Sequence, residues 1–306
     1  MADNEWSESG EQRNESESGR GEYGRSCSIR ISGIDYAYEK GKLILDDVSL
    51  DIENPQLVSI IGPNGVGKST LIHCMNRILS PSKGTVLIDG RDISGIRVKD
   101  LAKKIGYVPC SADDCFPLTV VDTVLMGRNP HSRWKGDLRS DMKVVEEALE
   151  LMDIKPLAMR QFNELSAGQH QRVMLARGLA QEPEILLLDE PTSNLDLKHQ
   201  MDVIRILKSL SSKKGIAIVM ISHDVNLAAR YSDNIIMMLD GGIYDAGRPS
   251  DVITRESIKA VYGVDSEILY RNGRPVVLPI DEGSEDATPV TKDCFVSSSS
   301  IARRTG

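Results

Sequence analysis

Residues 62–70 read GPNGVGKST and follow the apolar run LVSIIG without a break. Three glycines within six residues let the backbone bend tightly and approach another group with no side chain in the way. A lysine and two hydroxyl residues come next, opening STLIHCMNRIL, where Leu71, Met75 and Ile78 recur at helical spacing. The pattern GxxxxGK[ST] runs through Gly62, Pro63, Asn64, Gly65, Val66, Gly67, Lys68, Ser69 and Thr70. It predicts a strand, a loop wrapped around phosphates, and a helix whose first amides and Lys68 meet the negative charge. The Ser69 hydroxyl is of the kind that ligates Mg²⁺.

The other apolar runs agree. KIGYVP, EILLLDEP and GIAIVMISHD are continuous rather than alternating, which predicts strands buried on both faces of a parallel sheet covered by helices. SIRISGIDYAY and LILDDVSLDI alternate in part and read as strands too. Between Phe116 and Phe162 the pattern changes: PLTVVDTVLMGR and SDMKVVEEALELMDI carry apolar residues at helical spacing, among them Val144, Val145, Ala148, Leu149 and Met152. NPHSRWKGD between them reads as a loop. The expectation is a mixed α/β core with a helical insert.

Two of the buried runs end in chemistry. EILLLDEP stops at Asp189 and Glu190, which presents adjacent carboxylates at the carboxyl edge of the sheet, where ligands of open α/β sheets bind. Asp189 suits a Mg²⁺ shell, and Glu190 suits a base that polarises water beside a γ-phosphate. ISHD ends the next run with His223, expected on the same edge and near the same phosphate. A second glycine-containing stretch, LSAGQHQR from Leu165, precedes another helical pattern and also looks fitted to an anion at a helix start.

Charge and composition narrow the class. A formal net charge of −8 argues against nucleic-acid binding driven by phosphate neutralisation. No run approaches the roughly 18–20 apolar residues that cross a bilayer, and the first residues hold no apolar signal core, so a cytoplasmic chain is expected. Cys27, Cys74, Cys110, Cys115 and Cys294 are odd in number and lack a CxxC pair, which fits free thiols in a reducing compartment. Residues 1–26 and 281–306 are poor in large aliphatics and are expected to be disordered tails around a folded body, residues 27–280.

The phosphate loop, LSAGQ, LLLDEP, SNLD and ISHD, in this order and spacing, resemble the ATP-binding cassette ATPases, the hydrolysing subunits of ABC transporters. The resemblance covers about residues 29–280, and LSAGQ is highly specific to that family. It implies a phosphate-loop ATPase core with a mixed, largely parallel sheet and flanking helices. To this are added an N-terminal antiparallel β subdomain and an α-helical subdomain inserted at about residues 116–165. It also implies why there are two anion sites. Cassettes pair head to tail, so that Ser166 and the helix start at Ala167, Gly168 and Gln169 cap the ATP held by the other copy's phosphate loop. By the same resemblance Tyr38 stacks on adenine, Asp196 is the acid of the cross-interface loop, Asp189 holds Mg²⁺, Glu190 is the general base and His223 contacts the γ-phosphate. One position departs: where the family reads YVPQ, this chain reads Tyr107-Val108-Pro109-Cys110, and the absent glutamine normally touches Mg²⁺ and the attacking water.

FPLTVVDTVLMGR, SHDVNLAARYSD and the stretch GGIYDAGRPSDVITRESIKAVYGVD look most like cassettes that serve iron-siderophore, haem and cobalamin importers. Such a cassette pairs with itself on the cytoplasmic face of the membrane, docks on separate permease subunits and relies on a substrate-binding protein outside. Two other readings stand beside it. An ABC ATPase acting on DNA or ribosomes usually carries a long coiled-coil insert or a second cassette, and this chain shows neither. A nucleotide-binding regulator that scarcely hydrolyses is the other, prompted by Cys110.

Overall fold

The computed structural model describes residues 28–280, apart from 40, 54, 111–116, 132–137 and 194. The expected tails, and Cys27, Cys115 and Cys294, lie outside the described residues. Strands β1 (Ser28–Tyr36) and β2 (Leu45–Glu53) pair antiparallel, and β3 (Leu57–Ile61) leads into helix α1 (Lys68–Met75). Strands β4 (Lys83–Ile88) and β5 (Arg91–Asp92) complete a four-stranded antiparallel sheet in the order β2-β1-β4-β5. Helix α2 (Val98–Lys104) then feeds β6 (Ile105–Val108).

The insert contributes α3 (Val120–Leu125) and α4 (Leu138–Leu151), and α5 (Ala167–Leu179) returns the chain to the core through β7 (Ile185–Leu188). Helix α6 (Leu197–Lys214), β8 (Ala217–Ile221), α7 (Val225–Tyr231), β9 (Asn234–Leu239) and β10 (Gly242–Gly247) follow. The described chain ends with α8 (Pro249–Val252), α9 (Arg255–Tyr262) and the hairpin of β11 (Ser266–Arg271) with β12 (Arg274–Pro279).

The second sheet has the order β10-β9-β3-β8-β7-β6, parallel throughout except for the β10 edge. Every residue of β3, β7 and β8 is buried, as continuous apolar runs require. The sheet divides two cores. Leu186, Leu188, Ile218 and Met220 face the insert, α5 and α6, whereas Ile185, Leu187, Val219 and Ile221 face α1 and the antiparallel sheet. A buried aliphatic side chain contributes about 1.5–3 kcal/mol, so the four of β7 anchor firmly the strand that ends at Asp189.

The fold class is as expected, with local differences. Helix α1 is shorter than its apolar spacing implies: it ends at Met75, Arg77 takes a left-handed φ of 55°, and Ile78 is exposed. The helix of PLTVVDTVLMGR is likewise confined to Val120–Leu125, capped by the Thr119 side chain.

Candidate nucleotide site

Parallel pairing brings the carboxyl ends of β6, β7, β8 and β3 to one edge. Val108 is registered with Leu188, Leu188 with Met220, and Ile60 with Ile221. The ladder runs on into the loops: Asp189 N–H donates to Val108 O (2.9 Å) and Ser222 N–H to Ile60 O (3.0 Å). Three segments far apart in the chain therefore open side by side.

The glycine loop leaves β3 at Gly62, where φ is 147° and an added Cβ would fall 2.5 Å from Met238 O. That combination of left-handed backbone and contact admits no side chain. Val66 is buried beneath the loop, whereas Asn64 and Gly65 are exposed on it. Gly67 is the N-cap of α1, and Lys68, the first helical residue, is only 6% exposed. The Lys68 ammonium donates to Gly62 O (2.9 Å) and Pro63 O (2.7 Å), curling back over the loop. Burial pulls its pKa below the ordinary lysine value, and Glu190 and Asp189 nearby oppose that. An ammonium desolvated in this way gains most from an anion.

Ser69 Oγ donates to Asp189 Oδ1 at 3.1 Å. Burial raises the Asp189 carboxyl above its usual range, and the Ser69 hydroxyl opposes the shift. A hydroxyl beside a desolvated carboxylate is the hard-oxygen donor pair that suits Mg²⁺, so the residues fit the metal that the motif implies. Glu190 follows with a left-handed φ of 50°. Its Oε1 pairs with His223 Nε2, and its Oε2 lies 3.7 Å from the Cys110 thiol. Cys110 Sγ is also 3.5 Å from Ser193 Oγ, and burial raises its pKa, which keeps the thiol neutral.

Tyr38, Ile44, Asn64, Gly65, Gly67, Lys68, Ser69, Thr70, Glu190 and His223 line one open cleft of about 550 Å³. Tyr38 stands at its mouth, 60% exposed, with its hydroxyl 3.2 Å from Thr70 Oγ1 and its ring edge-on to Tyr36. An exposed ring pinned to the phosphate loop is a ready stacking platform. Ile44 was not anticipated, since nothing marks it in the sequence. The same holds for His73, whose Nε2 lies 3.0 Å from the Tyr107 hydroxyl behind Asp189.

The second anion motif lies apart from this cleft. Ser166 is the N-cap of α5: its hydroxyl accepts from Gln169 N–H (3.4 Å) while the Gln169 side chain accepts from Ser166 N–H (3.1 Å). Ser166 and Ala167 are exposed, Gly168 is buried, and none of residues 166–169 lines the glycine-loop cleft. Asp196 is also outside it, exposed, as the N-cap of α6.

Comparison with known proteins follows the same lines. Residues 45–193 match the family model described as ABC transporter. An uncharacterized ABC transporter ATP-binding protein of Methanocaldococcus jannaschii is 48% identical over 253 residues, 82% of this chain and 98% of that protein. A cobalamin import ATP-binding protein of Halobacterium salinarum is 35% identical over 293 residues, 90% of this chain and 73% of that protein. Among solved structures, one described as a metal-chelate type ABC transporter in an inward-facing conformation has a TM-score of 0.72 at 25% identity, covering 83% of this chain and 98% of that one. A dimeric bacterial ABC transporter cassette has a TM-score of 0.64 at 31% identity, covering 72% of this chain and 98% of that one. The chain belongs to the ABC transporter family as an ATP-binding, ATP-hydrolysing subunit of the import type.

Proposed function

We propose that this ATPase works as a head-to-tail homodimer on separate membrane permease subunits, at the cytoplasmic face, and drives uptake of a metal chelate: an iron-siderophore, haem or cobalamin. A substrate-binding protein outside the membrane delivers the cargo. The similarity to a cobalamin import protein and to a metal-chelate type transporter supports the cargo class. No helix among the described residues is long and apolar enough to cross a membrane, which is consistent with a subunit that docks on a membrane partner. The ATPase domain is taken as residues 27–280, with the helical subdomain at about 116–165.

The observation that carries the mechanism is the convergence of three strand ends on one cleft. Lys68 and the loop amides bind the phosphates, and Tyr38, held by Thr70, stacks on adenine. Ser69 and Asp189 would hold Mg²⁺, which would offset phosphate charge. Glu190 takes a proton from the attacking water, and His223 orients Glu190 through the carboxylate oxygen it already pairs with. Cys110 lies beside that carboxylate, where the family's glutamine meets Mg²⁺ and the water. Ser166 and the helix start at Ala167, Gly168 and Gln169 cap the partner copy's ATP, with Asp196 reaching across the same interface. Separation of these residues from the glycine-loop cleft is what a composite site requires.

Sedimentation of the Glu190→Gln protein tests the assembly. It is expected to run as a dimer with ATP and as a monomer without it. A monomer under both conditions, with permease also present, removes the composite site.

A further inference from the structure

The loop acid and the signature helix are joined within one protomer by a residue that no motif marks. Asp196 Oδ1 accepts two hydrogen bonds from His199, from its backbone N–H at 2.9 Å and from ring Nδ1 at 2.7 Å. These bonds hold the Asp196 carboxyl below the usual carboxylate range, so it is ionised and acts only as acceptor. The proton of the second bond is therefore on Nδ1. On its other side the same ring lies against α5. A Cβ added to Gly168 would fall 3.1 Å from His199 Cδ2 and 3.2 Å from Cγ, so the first turn of α5 meets the imidazole at a glycine. Gly168, Gln169 and His199 share the wall of a small cavity of about 140 Å³ with Arg172.

We propose that His199 is a positioning residue that fixes Asp196 to the signature helix, so that the two elements facing the partner's nucleotide keep one geometry. This rests on the head-to-tail reading above. Among the described residues of 191–196, Ser193 N–H and Oγ both donate to Glu190 O, Cys110 Sγ lies 3.5 Å from Ser193 Oγ, and Gln200 Nε2 donates to Thr192 O. The Ser193 contacts tie it to Glu190 of the same protomer, and the Gln200 bond ties it to α6. The imidazole is the link to the surface that the partner meets. It is separable from the helix cap, because the cap bond comes from the backbone of residue 199 and survives any side chain there except proline.

The test uses the full chain in the Glu190→Gln background, with ATP as the probe, and compares His199→Ala, His199→Leu and His199→Asn. Leucine keeps apolar bulk against Gly168 without a donor; asparagine carries a donor near the place of Nδ1. The bond is absent from the free protomer as well as from the dimer, so association suffers only through the extra loop ordering that each end must then supply. The Ala and Leu proteins are expected to need roughly tenfold more protein for ATP-driven dimerisation. Asn should restore most of that loss. Binding of a fluorescent ATP analogue to the Lys68 cleft should be unchanged in all three. With Glu190 present, kcat should fall severalfold at unchanged KM for ATP in the Ala and Leu proteins. Dimerisation of the Ala and Leu proteins equal to the parent overturns the proposal while leaving the composite site intact. Failure of the Glu190→Gln parent itself to dimerise overturns the head-to-tail reading, and this inference with it. If the Ala protein loses nucleotide binding, and hence its fold, the decision passes to Leu against Asn: equal association of the two overturns the proposal.

Discussion

Replacing Cys110 by glutamine should raise ATP turnover about fivefold. The thiol now sits 3.7 Å from Glu190 Oε2 and 3.5 Å from Ser193 Oγ, so the side chain already points at the base. It stays neutral, because burial and the neighbouring carboxylates both oppose the thiolate. A neutral thiol is a weak donor and a weak acceptor, and it offers no oxygen to a metal or a water. Glutamine at the same Cα extends two heavy atoms further and ends in an amide that both donates and accepts. From this position it reaches past the present sulfur toward the space between Glu190 and the Ser69–Asp189 pair.

The magnitude follows from adding one neutral hydrogen bond at the attacking water. Such a bond contributes about 0.5–1.5 kcal/mol, and 1.36 kcal/mol is tenfold in rate, so a change of about two- to twelvefold brackets the expectation. On the proposed roles of Lys68, the loop and Tyr38 in holding phosphates and adenine, the gain belongs in kcat, since the substitution touches none of them. Steady-state phosphate release, measured for both proteins with and without the permease, reads it directly. The larger difference should appear in the assembled transporter, where both composite sites close. An unchanged kcat in both settings would falsify the reasoning and leave Cys110 as a loop residue of no catalytic consequence.

Three other changes probe the remaining parts of the site. Glu190→Gln should retain ATP binding and lose at least about a hundredfold in turnover, because an amide cannot accept the water's proton; normal hydrolysis by this protein removes Glu190 as the base. Ser166→Arg should abolish ATP-driven association in the Glu190→Gln background by filling the place of the partner's γ-phosphate, with single-chain nucleotide binding preserved. Gly62→Ala should lower stability by about 2 kcal/mol and weaken ATP binding, since a Cβ there meets Met238 O at 2.5 Å on a left-handed backbone; a melting temperature equal to wild type contradicts that strain.

What could be read from the sequence, and what could not, divides along a physical line. Features that depend on a few neighbouring residues were legible. The glycine loop, the helix start at LSAGQ, and the Asp-Glu pair closing a buried run each follow from local backbone needs. Elements whose reason lies elsewhere in the chain were not. Strand β5 is two exposed charged residues, Arg91 and Asp92, with no apolar period to announce it; it exists because β4 offers an edge. Ile78 reads as a further apolar position of α1, yet the helix ends at Met75 and the left-handed Arg77 turns the chain before Ile78.

The site itself depends on the second kind of information. Residues 62–70, 189–190 and 223 become one cleft only because β6, β7, β8 and β3 lie in that order and in register, so that their carboxyl ends close on the same edge. Motif order along the chain carries none of this, since β3 precedes β6 in sequence but is separated from it in the sheet by β8 and β7. His199 is the sharper case. Its spacing from Asp196 is that of an ordinary capping position, and its contact with Gly168 crosses 31 residues of chain. The glycine of LSAGQ is buried and admits the imidazole, since a Cβ there would fall 3.1 Å from His199 Cδ2. Enlarging it would crowd that ring, which gives Gly168 a reason to be glycine that the motif alone does not supply.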